Sequence, residues 1–195
     1  MTLTMPTATG MIVRPLTAAR WPDLVRLFGA NGACAGCWCM WPRCSAAEFR
    51  RGKGTANRRA FQRVVAAGPP PGVIGYLGRT PAGWCAVAPR ETYPRLDRSR
   101  VMARVDDQPV WSVSCFFVGR DFRRQGLSLP LLQGAVALAR RHGARLVEAY
   151  PSELDARAAD VFVWMGLAAT FRAAGFEEVA RRAPSRPVMR LAIAR

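Results

Sequence analysis

Residues 116–132 read FFVGRDFRRQGLSLPLL and hold the residue types that a tight anion site needs. A β-branched and aromatic run ends at Val118, and a short turn presents Arg123, Arg124 and Gln125. Gly126 then lets the backbone approach a ligand closely, just as Leu127 and Ser128 open an apolar-periodic helix. Free N–H groups and the positive end of a helix dipole converge there, which suits a pyrophosphate. A second concentration of chemistry is ACAGCWCMWPRC, residues 33–44, with cysteines at 34, 37, 39 and 44. Four thiols at this spacing are enough for a tetrahedral zinc site, and a peroxide-sensing thiol is a further reading. The C-x-x-C pair favours zinc, whereas C-x-C and the adjacent Pro42 make one tight tetrahedron awkward.

Several other chemistries lack their residues. GLSLP has no second glycine for a nucleophile elbow, and the single histidine, His142, precedes Gly143 as ordinary helix capping. No G-x-x-x-x-G-K-[ST] or G-x-G-x-x-G occurs, so the anion site belongs to neither a triphosphate loop nor a dinucleotide fold.

The elements that must position these residues can be read from periodicity. Residues 11–17 predict a strand, and residues 18–28 a helix with Trp21, Leu24, Val25 and Phe28 on one face. Residues 45–50 and 57–67 read as helices around a GKG break. Residues 73–77 and 83–88 read as two strands of a hairpin, followed by an arginine-rich loop over 89–108. Residues 109–118 form the strongest strand, and the helix over 129–141 follows the turn. A strand over 144–151, a helix over 161–174 and two closing strands at 176–182 and 187–194 complete an α/β arrangement with a mixed sheet.

The chain has 195 residues, half of them hydrophobic, which suits one core: a leader over residues 1–10 and a single domain over 11–195. Apolar runs are broken well before the roughly 18 residues of a membrane span, and the leader has no basic segment, so a cytoplasmic protein with reduced cysteines is expected. The formal charge of +16 is nearly all arginine, scattered rather than striped with aromatics. That pattern fits an enzyme favouring anionic ligands better than a nucleic-acid binder.

Residues 116–132 resemble motif A of the GNAT superfamily of acetyl-CoA-dependent N-acetyltransferases, L-x-V-x-P-x-[YF]-R-[GR]-x-G-[IL]-[GA]-x-x-LL. Phe116, Val118, Phe122, Arg123, Gly126, Leu127, Leu131 and Leu132 fall in register; Arg120 replaces the usual proline, and Ser128 a glycine or alanine. MIVRPLT near the start and FRAAGF near the end resemble further family segments. The resemblance implies a mostly antiparallel, mixed central sheet flanked by helices in one domain, an α+β variant of the α/β class. It implies acetyl transfer from acetyl-CoA to an amine by direct attack in a ternary complex, in a monomer or homodimer.

The resemblance also implies site residues. Backbone amides of Arg124, Gln125, Gly126, Leu127 and Ser128 would hold the pyrophosphate, beside Arg123. Phe116, Phe117 and Val118 would carry the strand end that pairs with the pantetheine arm. The cysteine stretch would line the acceptor side, with Trp38, Met40 and Trp41 shaping an apolar pocket and the thiols as small buried hydrophobes. Glu148 stands where some relatives carry a base; pairing with an arginine is the alternative. The tyrosine that usually protonates departing coenzyme A aligns with Phe171, leaving Tyr150 as a candidate hydroxyl, and Trp164 replaces a common asparagine. These departures leave open a non-catalytic acyl-CoA-binding or regulatory domain.

Overall fold

The computed structural model describes residues 10–153 and 163–193. Seven strands form one sheet: β1 (Met11–Pro15), β2 (Gly72–Leu77), β3 (Thr80–Pro89), β4 (Trp111–Val118), β5 (Leu146–Ala149), β6 (Glu177–Ala183) and β7 (Arg186–Ala192). Their order is β1-β2-β3-β4-β5-β7-β6, and every neighbouring pair is antiparallel except β4 with β5. The expected mixed, mostly antiparallel sheet is therefore present. The helices are α1 (Trp21–Phe28), α2 (Ala46–Gly52), α3 (Thr55–Ala67), α4 (Pro94–Asp97), α5 (Ser128–Arg141) and α6 (Ala168–Ala173).

The two faces of the sheet are covered differently. On one, α5 lays Leu131, Leu132, Ala135, Leu138 and Ala139 against β1 to β4. The approach is close because glycines stand at the contacts: a Cβ on Gly83 would lie 2.6 Å from a Leu131 methyl, and one on Gly134 2.4 Å from Val13 Cγ1. On the other face Trp21, Leu24 and Phe28 of α1 and Phe61 and Val65 of α3 pack around Trp84, with ring contacts from Phe28 and Phe61 to Trp84 at 6.3 and 6.0 Å. Burying this much aromatic surface is the main stabilising term for that layer.

β4 and β5 pair only from Trp111 opposite Val147 to Val113 opposite Ala149, and then separate. The chain segment at 163–167 borders the opening: Trp164 C=O accepts Phe116 N–H at 2.6 Å, and Gly166 C=O accepts Ser152 N–H at 2.9 Å. Residues in a strand alternate the side to which their N–H and C=O groups point. Val118, two residues beyond Phe116 and in regular register with β3, therefore presents its amide to the same opening.

Three local expectations change. β3 begins at Thr80 rather than 83, so only Gly78 and Arg79 turn the hairpin, with Gly78 at φ +57°. The helix expected over 161–174 is confined, among the described residues, to Ala168–Ala173; Val161 and Phe162 lie outside them. Gly166 at φ +87°, tied to Ser152, interrupts helical geometry before Ala168. The arginine-rich loop over 89–108 contains α4 and a 3₁₀ turn, Arg90–Thr92, and it buries Arg90 to 1% exposure.

Candidate active site

A cleft of about 1050 Å³ runs from the end of β4 to the cysteine stretch. At one end lie Val118, Phe122, Arg123, Arg124, Gly126, Leu127 and Ser128. Arg124 at φ +59° and Gly126 at φ +71° alternate with right-handed or extended neighbours, which turns successive amides toward one side in the manner of an anion nest. Among the described residues, the N–H groups from Arg124 to Ser128 donate to no protein acceptor, and α5 begins directly behind them. A Cβ on Gly126 would meet no protein atom within 4 Å, so a side chain there would project into the cleft that Gly126 lines. The turn thus has open space, five donors, a helix N-terminus and two arginines, the chemistry that a diphosphate requires. Gln125 contributes its amide, while its side chain bonds Asp121 C=O at 3.1 Å.

The middle of the cleft is the outer half of β4. Cys115, Phe116, Phe117 and Val118 line it where β5 has separated, and Val118 N–H and Phe116 C=O point into the opening. Phe116 N–H is engaged by Trp164, which leaves Val118 as the amide of this stretch positioned to meet an extended ligand.

The far wall combines Cys34, Cys37, Cys39, Trp41, Pro42 and Phe49 with Val163, Trp164 and Leu167 across from them. Trp41 and Trp164 meet edge to face at 4.7 Å, and the Arg95 guanidinium lies 4.7 Å from the Trp41 ring. Of the three residues expected on this wall, only Trp41 is there. Trp38 and Met40 are buried behind it: Trp38 packs on Trp21 and Phe28 at 5.9 and 5.6 Å, in the core layer under the loop. The reason is backbone conformation, since Ala33, Ala35, Trp38 and Cys39 all have positive φ and turn successive side chains away from regular alternation.

The thiols do not gather in one place. Among the described residues no three cysteine, histidine or acidic side chains are close enough to share a metal ion. Burial pushes the Cys37 thiol up to about 11, and it also raises Cys44. Cys39 goes the other way, lowered by its neighbour Cys115 and by the Trp84 indole, whose N–H it accepts at 3.1 Å, while the Cys115 thiol donates to Phe116 C=O at 3.6 Å.

Glu148 and Tyr150 are brought together beside the paired half of β4, where Glu148 stands opposite Ser112, and neither lines the cleft. The Glu148 carboxylate, fully buried, accepts from Arg90 Nη1 at 2.9 Å, from Arg190 Nε at 2.8 Å and from the Tyr150 hydroxyl. Tyr150 also contacts Arg90 and lies 3.0 Å from Ser112 Oγ; burial first, then the Glu148 charge, pushes its phenol upward. Arg90 is held further by Asp97 at 3.0 Å and Met102 C=O at 2.8 Å, and Arg190 by Asp106 at 2.6 Å. The geometry is that of a carboxylate paired with arginines, the second of the two readings of Glu148. Phe171 is also fully buried, edge to face with Phe116 and Phe176 at 5.8 and 5.1 Å.

Cleft residues that the sequence did not single out as a site include Cys115, Phe122, Phe49, Lys53, Leu167 and Thr170. Cys115 and Phe122 had a signal: Phe122 lies within the recognised segment in register with its motif, and Cys115 immediately precedes that segment. Lys53 and Phe49 had none, because α2 reaches the cleft only through the folded loop.

Comparison with known proteins agrees with this arrangement. The model of the acetyltransferase (GNAT) family matches residues 32–166. Among curated proteins, none matches the chain. A GNAT-family acetyltransferase from Streptococcus agalactiae superposes with a TM-score of 0.58 at 15% identity, covering 98% of this chain and 100% of its own. One from Listeria monocytogenes gives 0.59 at 11% identity with the same coverage. The PaiA N-acetyltransferase of Thermoplasma acidophilum, solved in complex with coenzyme A, gives 0.51 at 11% identity, covering 94% and 99%. These likenesses establish the fold, and the family match, which spans the anion turn, β4 and the cysteine wall, establishes that the chain belongs to the GNAT family of acetyltransferases.

Proposed function

We propose that the protein transfers an acetyl group from acetyl-CoA to an amine. The observation that carries this is the turn from Arg124 to Ser128, five amides aimed at open space at the end of a splayed strand. These amides, with Arg123 and Arg124, bind the pyrophosphate. Val118 N–H and Phe116 C=O pair with the pantetheine arm as an added strand would. Acetyl-CoA, when bound, supplies the acyl group as a thioester whose carbonyl an amine can attack.

The chain's own contribution beyond docking is orientation and exclusion of water. The wall of Trp41, Pro42, Phe49 and Trp164 surrounds the acceptor amine with apolar surface, which disfavours the ammonium form and so favours the free amine that attacks. The amine attacks the thioester carbonyl directly, in a ternary complex that the docking above holds together. A thiol leaving group with a pKa of about 8.5 departs as thiolate without an enzyme acid, consistent with Phe171 in place of a tyrosine. The amine proton passes to water, since Glu148 and Tyr150 are enclosed by arginine and serine partners outside the cleft.

The test uses Gly126→Asn. Asparagine tolerates a left-handed backbone better than other residues, so the fold is kept while a side chain enters the cradle. Calorimetric titration of wild type with coenzyme A should give saturable binding, and the variant, folded by circular dichroism, should lose at least tenfold in affinity. Equal affinity, or no binding by wild type, overturns the reading.

A further inference from the structure

The acceptor end of the cleft is aromatic and positively charged, with no carboxylate to balance it among the described residues. Lys53, the residue that closes α2, is exposed and lines this end with Trp41, Phe49 and Trp164, and it makes no ion pair with any described residue. Arg95 does not line the cleft but lies against two residues that do. Its guanidinium is 4.7 Å from the Trp41 ring and 5.6 Å from the Phe49 ring, and its Nε donates to Cys44 C=O at 3.3 Å. Its Nη2 is buried without an acceptor among the described residues. Arg43, next to Pro42 of the same wall, lies 4.7 Å from the Tyr93 ring and donates to the Tyr93 hydroxyl at 3.3 Å.

The acidic groups on the neighbouring elements are engaged elsewhere. Glu48 is exposed and accepts Ser45 N–H at 2.8 Å in the capping box of α2, and Glu153 is held by Arg172 and Arg181 at 2.8 and 3.0 Å. Among the described residues no aspartate or glutamate lines the cleft. An alkylamine is an ammonium ion in neutral solution, so a polyamine or an aminoglycoside would bring several positive charges to a wall flanked by three. The aromatic faces offer such a cation little, because Arg95 already lies over Trp41 and Phe49. The same charges turn favourable when the acceptor carries an anion of its own.

We propose that the acceptor is a small amine that carries a carboxylate and an apolar body, and that Lys53 binds the carboxylate. The proposal rests on the acetyl-transfer reading above and names its acceptor class; an aromatic or branched α-amino acid is the simplest member. The carboxylate forms a charge-assisted bond with the Lys53 ammonium, and the apolar body lies against Trp41, Phe49 and Trp164. The cations that flank the wall disfavour a further positive charge, so they also help to release the free amine that attacks. The cleft, about 1050 Å³, must take the pantetheine arm as well, which keeps the acceptor small.

The experiment measures coenzyme A release from acetyl-CoA by the full chain with amines matched but for the carboxylate: phenylalanine against phenethylamine, tryptophan against tryptamine, leucine against 3-methylbutylamine. Spermidine serves as the polycation. The kcat/KM of each acid should exceed that of its decarboxylated partner by about tenfold, and spermidine should be the poorest acceptor. Since the partners also differ in amine pKa, Lys53→Met is measured beside wild type, and the ratio between the two proteins isolates the charge. The variant should lower the preference for the acid by about fivefold or more, through KM rather than kcat. Lys53 is exposed, so the variant should fold, as circular dichroism checks. A decarboxylated amine or spermidine used as well as the acids overturns the inference and leaves acetyl transfer standing. So does an undiminished preference in Lys53→Met. Weaker coenzyme A binding by that variant in calorimetry would assign Lys53 to the donor and overturn it too. Release with none of these amines also overturns the inference, and coenzyme A binding by wild type in the same titration shows whether the acetyl-transfer reading falls with it.

Discussion

Glu148→Gln separates a structural carboxylate from a catalytic one. Glu148 and Arg90 are each 1% exposed at the side chain and Arg190 is 9% exposed, so the substitution removes the shared anion of two largely buried guanidinium groups. Breaking such a pair by deleting one partner costs about 3–5 kcal/mol. Here the lower end applies, because Arg90 keeps Asp97 and Met102 C=O and Arg190 keeps Asp106. The glutamine NH₂ faces guanidinium donors and cannot replace the second carboxylate oxygen. A loss of about 3 kcal/mol lowers the melting temperature of a chain this size by about 6–12 °C. Thermal unfolding by circular dichroism measures that shift. Turnover per folded molecule, with any amine that wild type acetylates, should stay within about twofold of wild type. An unchanged melting temperature with turnover reduced about 10²-fold would mean that Glu148 is the base after all.

Two further outcomes concern the scaffold. Arg190 holds the Asp106 carboxyl down to about 2, and Arg172 with Arg181 does the same for Glu153. Since both lie below the unfolded carboxylate range of about 4, their contribution is complete above about pH 4 and is lost as pH falls toward about 2. Urea midpoints should therefore hold through mildly acidic pH and drop within that window, less so in high salt; a drop centred above about pH 5 points to other groups. Gly134→Ala should destabilise by about 1 kcal/mol, although alanine is the better helix former. The overlap with Val13, a stiff β-branched side chain on β1, outweighs the propensity gain of about 1 kcal/mol. A rise in the urea midpoint would show that α5 can shift on the sheet.

What was legible in the sequence was contiguous. The anion turn is a run of neighbouring residues whose types specify its backbone, so strand, turn and helix could be placed within two residues of their observed limits. The Glu148 network was not legible, because Arg90 and Glu148 are far apart in sequence and an arginine in a polar loop is ordinarily solvated. Its hidden clue was the exchange of charge across β5 and β7, where Glu148 stands directly opposite Arg190. The segment at 163–167 was misread as helix because its apolar residues suit either a helix or an opening in a sheet, and only the separation of β4 from β5 decides between them.

The cysteine stretch shows why spacing alone misleads in a strained loop. Counting residues from Cys34 to Cys44 assumes that side chains alternate regularly, and four non-glycine residues with positive φ between Ala33 and Cys39 remove that assumption. Each such residue costs about 1–3 kcal/mol, so the loop persists only where its surroundings over-determine it. They do so at both ends. Trp38 is locked between Trp21 and Phe28, and Gly36 C=O receives Gly54 N–H at 3.0 Å and the Asn57 side chain at 3.2 Å. A Cβ on Gly36 would lie 2.4 Å from Gly54 N, so the loop is also pressed against the start of α3 by a contact that only glycine permits. The packing that draws Trp38 out of the cleft is thus the same packing that fixes Cys39 over Trp84 and Cys115. A residue expected to shape the acceptor pocket instead anchors the loop, and the sulfur beside it becomes the side chain that meets the cleft.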